Sequence, residues 1–461
     1  MTFSGTPFVA LALYLVVIGC TTMPQNSGDV ILHNVNVVSM LSEEVLPNQT
    51  VIVAGGKIAA IHPTKKSNRL SAETIIDGDG GYIIPGLADM HTHLGLILPW
   101  DGEPSLEGME SDLNLYLPNG VTTIRNMRAT PGILTIRAKL DRGELIGPRL
   151  ISSGPSLHSE LPEDFGPKIT SRAQAEAEIK KQKLEGYDFI KVHQDLPQEA
   201  FDGVIETAAE VGLPVAGHLQ ANKPAAQTAR MSSIEHAEEV VKLLGEAADF
   251  DEAPEMLAAI RASGAYVTPT LVIFNSIHQY LTDEGLESFF RQPETAYVTP
   301  YWRDVMSAEK NFFRQSFGEG YESLAGKFKD DTKRLQKLTA QLNDAGVPLL
   351  LGTDAVGLIA PGFSVHQELV LFVDAGLSPY DALKTATVNP ARWAGRDGKE
   401  GTIVVGAEAD LVLLAANPLE DIRATRDVKG VMLDGEWIDR ESLDDMLSGR
   451  IDDFEDGARP Q

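Results

Sequence analysis

The stretch "PGLADMHTHLGL", residues 85–96, places two histidines one residue apart at the end of the apolar run "YIIPGLADM". Because side chains alternate faces along a strand, His91 and His93 point to the same side, and at the end of a strand they can reach one common point. This geometry allows both side chains to bind one metal ion from the same side. A His-x-His pair also occurs hydrogen-bonded on ordinary surfaces, so the rest of the chain must supply the other ligands.

The middle of the chain, residues 85–398, alternates short apolar runs with stretches of helical periodicity. The candidate strands are "GLADMH", "VTTIRNM", "PRLISSG", "DFIKVH", "LPVAGHL", "SSIEHAEE", "AYVTPTLV" and "VPLLLGTDA". Between the fourth and fifth, "PQEAFDGVIETAAEVG" has apolar residues at helical spacing and a terminal glycine, as a crossover helix should. Eight strands separated by helices predict an α/β fold, a TIM-type (β/α)8 barrel.

One connection, at about residues 275–343, is far longer than a usual barrel loop and is rich in aromatic residues. Loops of that length are usually functional, so the pattern predicts a helical insertion that covers the mouth of the barrel. The alternative is an extra helical layer that packs for stability.

Both ends of the chain have the residue pattern of short β-strands. Residues 30–84 and 399–440 contain β-branched runs separated by glycine and asparagine turns. Two β-rich pieces that flank one long middle predict a small composite β-sandwich built from both termini. Residues 441–461 are expected to be an acidic C-terminal tail, and its last part, "RIDDFEDGARPQ", residues 450–461, to be a solvated, partly disordered end.

The N-terminal run "FVALALYLVVIGC", residues 8–20, is too short to span a bilayer comfortably and ends in the only cysteine of the chain. Its last four residues resemble the lipobox of bacterial lipoproteins. Residues 1–20 are therefore expected to be a lipoprotein signal that is lipidated at Cys20, and residues 21–29 a flexible tether. An exported lipoprotein facing the periplasm follows, with a plain secretory signal as the alternative because the first residues lack Lys and Arg.

The charge balance restricts the partners. Lys and Arg number 39 against 66 for Asp and Glu, for a formal charge of −27. Such a surface repels phosphate backbones, which argues against a nucleic-acid partner. We expect a small-molecule or peptide substrate, and membrane contact only through the lipid anchor at Cys20. One cysteine also allows no intramolecular disulfide.

Polar residues end several of the other candidate strands. Lys191 and His193 end the fourth, His218 the fifth, His236 the sixth and Asp354 the eighth. In a barrel of this type, the carboxyl ends of the strands face the active site. The five residues and the first histidine pair are therefore expected to converge on one face.

As a set, these motifs resemble those of the amidohydrolase superfamily, metal-dependent hydrolases with a (β/α)8 barrel and a β-sandwich made from both termini. The resemblance rests on "GLADMHTHL", "FIKVH", "PVAGHL", "SIEHAE", "LLLGTDA" and "GTIVVGAEADLVLL" and covers essentially the mature chain. Within the superfamily, the chain looks like the imidazolonepropionase-related group that includes dipeptidases cleaving before proline or basic residues.

The resemblance implies a centre of two divalent metal ions, most often zinc. His91, His93 and Asp354 would hold the more buried ion, His218 and His236 the more exposed one, and Lys191 would bridge both as an N6-carboxylated lysine. A free ammonium has no lone pair to donate, whereas carboxylation makes the lysine a bidentate anion. The alternative is an ordinary Lys191 paired to an acid beside a mononuclear site.

The implied reaction is hydrolysis of an amide bond in a peptide or N-acyl amino acid by a hydroxide that bridges the metal ions. Asp354 is the expected catalytic residue, which moves the proton from the nucleophile to the leaving nitrogen. The alternatives are hydrolysis of a cyclic amide, as in imidazolonepropionase, of a lactone or of a carbamate, and a catalytically silent ligand-binding lipoprotein. The family often forms homo-oligomers, and the sequence leaves that state open.

Three further residues are candidate substrate contacts: His193, His366 and Arg125. His193 is expected to face the same way as Lys191, with a structural hydrogen bond as the alternative. Arg125 could anchor a substrate carboxylate or pair with a neighbouring acid. Known dipeptidase relatives tend to have a glycine-rich stretch after the bridging lysine, where this chain has "KVHQDLPQEAF", and often an aspartate at the position of Asn126.

Overall fold

The computed structural model describes residues 27–65, 69–95, 105–162, 165–193, 196–220, 222–244, 249–355 and 359–455. The predicted signal with Cys20 and most of the predicted tether lie outside these residues, so lipidation and export stay predictions. Among the described residues, no helix combines the length and the apolar character that crossing a membrane requires.

The strands, in chain order, are β1 (Val30–Val38), β2 (Val45–Ala54), β3 (Lys57–Pro63), β4 (Thr74–Asp77), β5 (Tyr82–Pro85), β6 (Leu87–Thr92), β7 (Val121–Asn126), β8 (Arg149–Ser152), β9 (Ile190–Val192), β10 (Val215–Gly217), β11 (Ser233–Glu235), β12 (Tyr266–Thr268), β13 (Leu411–Leu414), β14 (Val428–Leu433) and β15 (Glu436–Asp439).

The α-helices are α1 (Leu106–Leu113), α2 (Ile133–Asp141), α3 (Arg172–Glu185), α4 (Gln198–Val211), α5 (Ala225–Thr228), α6 (Ala237–Leu244), α7 (Pro254–Ser263), α8 (Leu271–Tyr280), α9 (Asp283–Arg291), α10 (Pro300–Val305), α11 (Phe312–Phe317), α12 (Tyr321–Asp344), α13 (Phe363–Ala375), α14 (Pro379–Ala386), α15 (Val388–Trp393) and α16 (Arg440–Glu455).

The two ends of the chain share one sheet. Its order is β15-β14-β13-β5-β1-β2-β3, and β4 pairs with β1. The ends meet where β5 runs antiparallel to β13, with Ile84 opposite Val412. Apolar residues from both ends, among them Val37 and Met432, form one core cluster. In the described residues, the strands of the predicted sandwich are hydrogen-bonded into one sheet, and the register of β1 against β2 is irregular.

The middle of the chain contains parallel strands, as the apolar runs predict. β6, β7 and β8 form one parallel sheet, and β9 to β12 form a second. All residues of β6, β9, β10 and β11 are buried, as expected for parallel strands that are covered on both faces.

Backbone contacts connect the two parallel sheets at both sides. Ser153 forms a parallel bridge with Phe189 next to β8 and β9. On the other side, Leu350 N donates to Val267 O at 2.9 Å, and Met90 N donates to Leu351 O at 2.8 Å. Both distances are ordinary for backbone hydrogen bonds. The eighth predicted strand is thus an extended segment between β12 and β6.

The long connection after β12 is helical and includes α8 to α12. Tyr280, Phe289 and Trp302 pack with Ile359 in an apolar cluster of its own. Tyr297 and Trp302 also line a cavity that reaches His93. The insertion therefore packs beside the first histidine pair.

The C-terminal segment differs from the sequence-based interpretation. Residues 440–455 form helix α16, so the described part of the predicted acidic tail is helical. Leu443 is fully buried, and Arg450, 4% exposed, forms an ion pair of 2.7 Å with Asp112. A few inward-facing side chains are enough to dock an otherwise acidic helix.

Candidate metal centre

The predicted ligands meet at the carboxyl ends of the parallel strands. The ring centres of His91 and His236 lie 4.5 Å apart, and those of His218 and His236 lie 4.7 Å apart. Asp354 Oδ1 lies 3.1 Å from His93 Nε2 and 3.6 Å from His91 Nε2. The chain therefore gathers four imidazoles around one carboxylate.

Two of these residues have a backbone conformation that is rare outside glycine. Asp354 has φ 51° and His236 has φ 71°, both in the left-handed region. Strand-like hydrogen bonds hold them there: Asp354 N donates to His91 O at 2.7 Å and His236 N to Thr268 O at 2.8 Å. Such strain persists only where the surroundings impose it, and it is concentrated at functional sites.

Carboxylates orient two of the imidazoles. His91 Nδ1 lies 2.8 Å from Glu235 Oε2, and His218 Nδ1 lies 2.9 Å from Glu239 Oε1. An ionised carboxylate only accepts hydrogen bonds, so the hydrogen of each ring is on Nδ1 and the lone pair is on Nε2. A carboxylate behind the ring is the usual support of a metal-binding histidine.

A hydroxyl group orients His236. Its Nδ1 lies 2.9 Å from Thr270 Oγ1, and Thr270 immediately precedes α8. The sequence analysis did not predict Glu235, Glu239 or Thr270 as parts of the site. The two acids flank His236 in "SIEHAEE", which is a signal that could have indicated them.

The electrostatics keep the imidazoles neutral. Burial lowers the pKa of His91, His218 and His236 well below the usual value, and neighbouring positive charges, Lys191 among them, lower it further. Neutral imidazole is the form that binds a metal ion. At neutral pH these rings therefore have lone pairs available.

Lys191 is buried beside the imidazoles, with 3% of its side chain exposed. Burial lowers the pKa of Lys191 to about 8, although Glu235 and Asp354 act in the opposite direction. At pH 7, one unit below this pKa, about a tenth of the amine is neutral, with a lone pair on Nζ.

Asp354 is ionised. Burial raises its pKa, but the hydrogen bond with His93 and the nearby His236 outweigh burial and hold the pKa below the ordinary value. The site thus contains one charged oxygen ligand among neutral nitrogen ligands.

Three buried polar atoms at this site have no hydrogen-bond partner among the described residues: His91 Nε2, His93 Nδ1 and Lys191 Nζ. Leaving a buried polar group unsatisfied costs free energy, so three at one place indicate a group that the chain does not supply. Donor atoms of His91, His236 and Asp354 lie within 4.8 Å of one another. Imidazole nitrogen and carboxylate oxygen are the ligands that zinc prefers, so these residues fit a divalent metal ion.

The three predicted substrate contacts have different outcomes. His193 joins the cluster, because its ring stacks on that of His218 with the ring centres 4.1 Å apart. His366 does not: it is buried, its Nδ1 lies 3.0 Å from Thr425 Oγ1, and it lines a separate cavity of about 590 Å³ that none of the predicted metal ligands lines.

Of the two roles that the sequence left open for Arg125, the structure favours pairing with a neighbouring acid. The side chain is fully buried, Nη2 donates to Glu235 Oε1 at 2.7 Å and Nη1 to Ser233 Oγ at 2.9 Å. Its guanidinium carbon lies 4.4 Å from the ring centre of Trp393. Arg125 points inward from β7 and neutralises the carboxylate that orients His91, which was the alternative interpretation.

The chain is similar to known proteins over most of its length. The model of the amidohydrolase family matches residues 82–438. An adenine deaminase of Chelativorans sp. (strain BNC1) is 27% identical over 402 residues, which cover 84% of this chain and 54% of the relative. The chain thus spans about half the length of this curated relative.

Solved structures show the same fold. A Xaa-Pro dipeptidase with bound methionine superposes with a TM-score of 0.68 and 21% identity, covering 89% of this chain and 99% of that one. A bottromycin amidohydrolase gives a TM-score of 0.71 and 23% identity, covering 92% and 89%. At these identities the likeness establishes the shared fold alone.

Proposed function

Because the chain belongs to the amidohydrolase family, we propose that it is a metal-dependent hydrolase that cleaves the amide bond of a peptide or an N-acyl amino acid. The observation that carries the proposal is the cluster of four neutral imidazoles around the ionised Asp354. The dipeptidase and amidohydrolase names of the structural neighbours support a C–N bond as the target.

The proposal includes a closed (β/α)8 barrel. The two parallel sheets and the extended segment at residues 349–351 would form its wall, supported by the backbone contacts on both sides. The candidate ligands would then project from the carboxyl ends of the strands, where barrels of this type have their active sites.

The proposed centre takes two metal ions. His91, His93 and Asp354 would hold one, and His218 and His236 would hold the other. Metal ions bound there would polarise the amide carbonyl and activate water for attack. Glu235, Glu239 and Thr270 keep three of the rings in place through Nδ1, which is the role that supporting groups have around metal ligands.

Lys191 would bridge the two ions as a carbamate. The neutral Nζ would attack the carbon of carbon dioxide, form an N–C bond and release one proton, leaving a group of charge −1. A pKa of about 8 supports this reaction, because it leaves part of the amine unprotonated at neutral pH. The two new oxygens would satisfy the position where Nζ now has no partner among the described residues.

Asp354 is the proposed proton carrier. As an ionised carboxylate it would accept a proton from the attacking water and deliver it to the leaving nitrogen, so that the amine departs neutral. Its hydrogen bond with His93, 3.1 Å long, fixes the carboxylate at the centre of the cluster.

A second candidate reaction is the deamination of a purine, in which water replaces an amino group on a ring carbon and ammonia is released. It is supported by the adenine deaminase relative, of which the chain covers about half. Both reactions break a C–N bond with water, so the same centre would serve either.

The test combines metal content with hydrolysis. The purified protein would be assayed by elemental analysis and against N-acetyl amino acids, dipeptides and adenine, before and after chelation and return of zinc. We expect about two metal ions per chain, falling toward one in Lys191→Ala. Lys180→Ala, an exposed lysine on α3, is the matched control. Absence of metal after reconstitution would overturn the proposal, and ammonia from adenine without peptide cleavage would select the second candidate.

A further inference from the structure

The histidine cluster is not buried evenly. The side chains of His93 and Asp354 are 15% and 18% exposed, and that of His218 is 15% exposed. Those of His91 and His236 are only 1% and 7% exposed. A substrate can therefore meet the cluster beside the three more exposed side chains.

A cavity of about 50 Å³ begins at one of these three, His93. Part of its wall is the chain directly after two site residues, because Leu94 follows His93 and Ala355 follows Asp354. We call this cavity the His93 pocket; its lining includes His93, Leu94, Tyr297, Trp302, Ala355 and Ile359.

The long helical insertion supplies the aromatic wall of the His93 pocket. Trp302, on α10, is 2% exposed and packs with Ile359 in the apolar cluster of the insertion. The Tyr297 ring stacks on Phe363, with the ring centres 5.1 Å apart and the planes at 14°. Both rings are therefore held by neighbouring side chains, and the pocket has a defined shape.

Several polar side chains that line the His93 pocket are already used by the fold. Ser105 and Thr299 accept hydrogen bonds from backbone N–H groups at the starts of α1 and α10. Asp112 forms an ion pair of 2.7 Å with Arg450. Together with the apolar residues of the wall, this arrangement favours an apolar occupant over a charged one.

We propose that the His93 pocket binds an aliphatic side chain of the substrate, of about the size of the leucine side chain, next to the bond that is cleaved. The inference rests on the proposed function and deepens it, because it names the class of amide. One water-sized group needs about 10–15 Å³ of such volume, so the pocket holds about three to five carbon atoms. The isobutyl group of leucine has a size in this range. Since His93 belongs both to the proposed centre and to the pocket, a substrate at the centre can reach it.

The test compares three probes with the zinc-loaded protein. N-acetyl-L-leucine carries the isobutyl group on the amine side of the amide, N-isovalerylglycine carries it on the acyl side, and N-acetylglycine lacks it. We expect kcat/KM for one of the first two to exceed that for N-acetylglycine by about 10- to 100-fold, because burial of the isobutyl group favours binding. The better of the two probes shows which side of the amide faces the pocket.

Two variants remove parts of the aromatic wall. In Trp302→Leu and in Tyr297→Leu we expect the preference over N-acetylglycine to fall by about fivefold or more, because the isobutyl group loses its packing partners. Tyr297 is only half-buried, so its variant serves if replacement of the buried Trp302 prevents folding. Tyr301→Leu is the matched control and should keep the preference, because Tyr301 precedes Trp302 on α10, is 40% exposed and is not part of the pocket lining.

Calorimetric titration with the same probes separates this inference from the proposed function, because binding needs no turnover. Tighter binding of an isobutyl probe than of N-acetylglycine, weakened in the two wall variants and kept in Tyr301→Leu, supports the inference even if no probe is cleaved. Equal binding of all three probes, or a preference that both wall variants retain, would overturn it. Cleavage of all three probes with equal kcat/KM would overturn it as well and would leave the proposed function standing.

Discussion

Asp354 combines a left-handed backbone with an ionised side chain at the centre of the imidazoles. Asparagine tolerates this backbone conformation better than most residues, so Asp354→Asn should fold while losing the proton carrier. We expect kcat to fall by about 10²- to 10⁴-fold, measured on the best substrate of the panel. Asp397→Asn, whose side chain is 66% exposed, is the control and should keep its activity. A loss below about tenfold would show that Asp354 is not the proton carrier.

Arg125 and Glu235 form a fully buried ion pair behind His91. Arg125→Met would leave the Glu235 carboxylate without its charge partner, and such a loss costs about 3–5 kcal/mol of unfolding free energy. In the double variant Arg125→Met/Glu235→Gln the charge is also removed, so part of the stability should return. Urea denaturation of the two variants and the natural protein measures this difference. A double variant that is no more stable than Arg125→Met would contradict the charge argument.

The candidate ligands could be predicted because each follows an apolar run that forms a buried strand. His91, His218 and Asp354 needed only the rule that carboxyl ends of parallel strands meet at one edge. The supporting contacts could not be predicted in this way, because His91 and Glu235 are 144 positions apart in the chain. Arg125 also pairs with Glu235 across 110 positions of the chain, a contact that the sequence does not show.

The start of α8 depends on a buried carboxylate of α13. Glu368 accepts from Leu271 N at 2.9 Å and from Val272 N at 2.7 Å, directly after the threonine that orients His236. Burial raises the pKa of Glu368 from 4.5 to about 8, against the effect of these two hydrogen bonds. The folded protein therefore keeps a proton on Glu368 over a pH range in which the unfolded chain has lost it.

The sign of the pH effect follows from this difference. Below pH 4.5 both states are protonated, and between 4.5 and about 8 only the unfolded state ionises, so the stability contributed by Glu368 is lost as pH rises. We expect the unfolding free energy of the natural protein, relative to Glu368→Gln, to fall steadily over this range. Glu287→Gln, 71% exposed on α9, should show a constant difference. A constant or rising difference for Glu368→Gln would contradict the raised pKa.

The helices were predictable in proportion to their apolar periodicity. The crossover helix "PQEAFDGVIETAAEVG" is confirmed as α4, which ends at Val211 and is capped by Gly212 with φ 69°. Helix α16 was missed because the stretch is acidic and, among its described side chains, apolar packing comes mainly from Leu443 and Met446. A short inward-facing row is a weak signal when charge dominates composition.

The sequence predicted that both ends of the chain form β-strands, but it predicted less of how these strands pair. The turn-separated runs at both ends indicated one composite unit. In the structure β5 pairs with β13, and the paired residues Pro85 and Leu411 are 326 positions apart in the chain. That the strands form one sheet depends on pairing between segments far apart in the chain, which composition does not encode. The path of the insertion beside His93 also depends on packing between distant segments, such as Trp302 with Ile359.

Metal binding should stabilise the entire fold, because the ligands come from strands that are far apart in the chain. The folded state presents neutral imidazoles around Asp354, whereas the unfolded chain has no assembled site. Zinc at about 100 times its dissociation constant would add about 2.7 kcal/mol of stability, so chelation should lower the midpoint of thermal unfolding.

The matched variants are His93→Ala, which removes a proposed ligand, and His62→Ala on β3, which keeps the cluster intact. We expect zinc to raise the unfolding midpoint of the natural protein and of His62→Ala alike, and to raise that of His93→Ala by less than about half as much. Differential scanning fluorimetry with chelated and zinc-loaded samples measures the shift without any substrate. If zinc raises the unfolding midpoint of all three proteins equally, the bound metal lies outside the histidine cluster. If zinc raises the midpoint of none of them, the three buried polar atoms without a hydrogen-bond partner, at His91, His93 and Lys191, must be satisfied in another way.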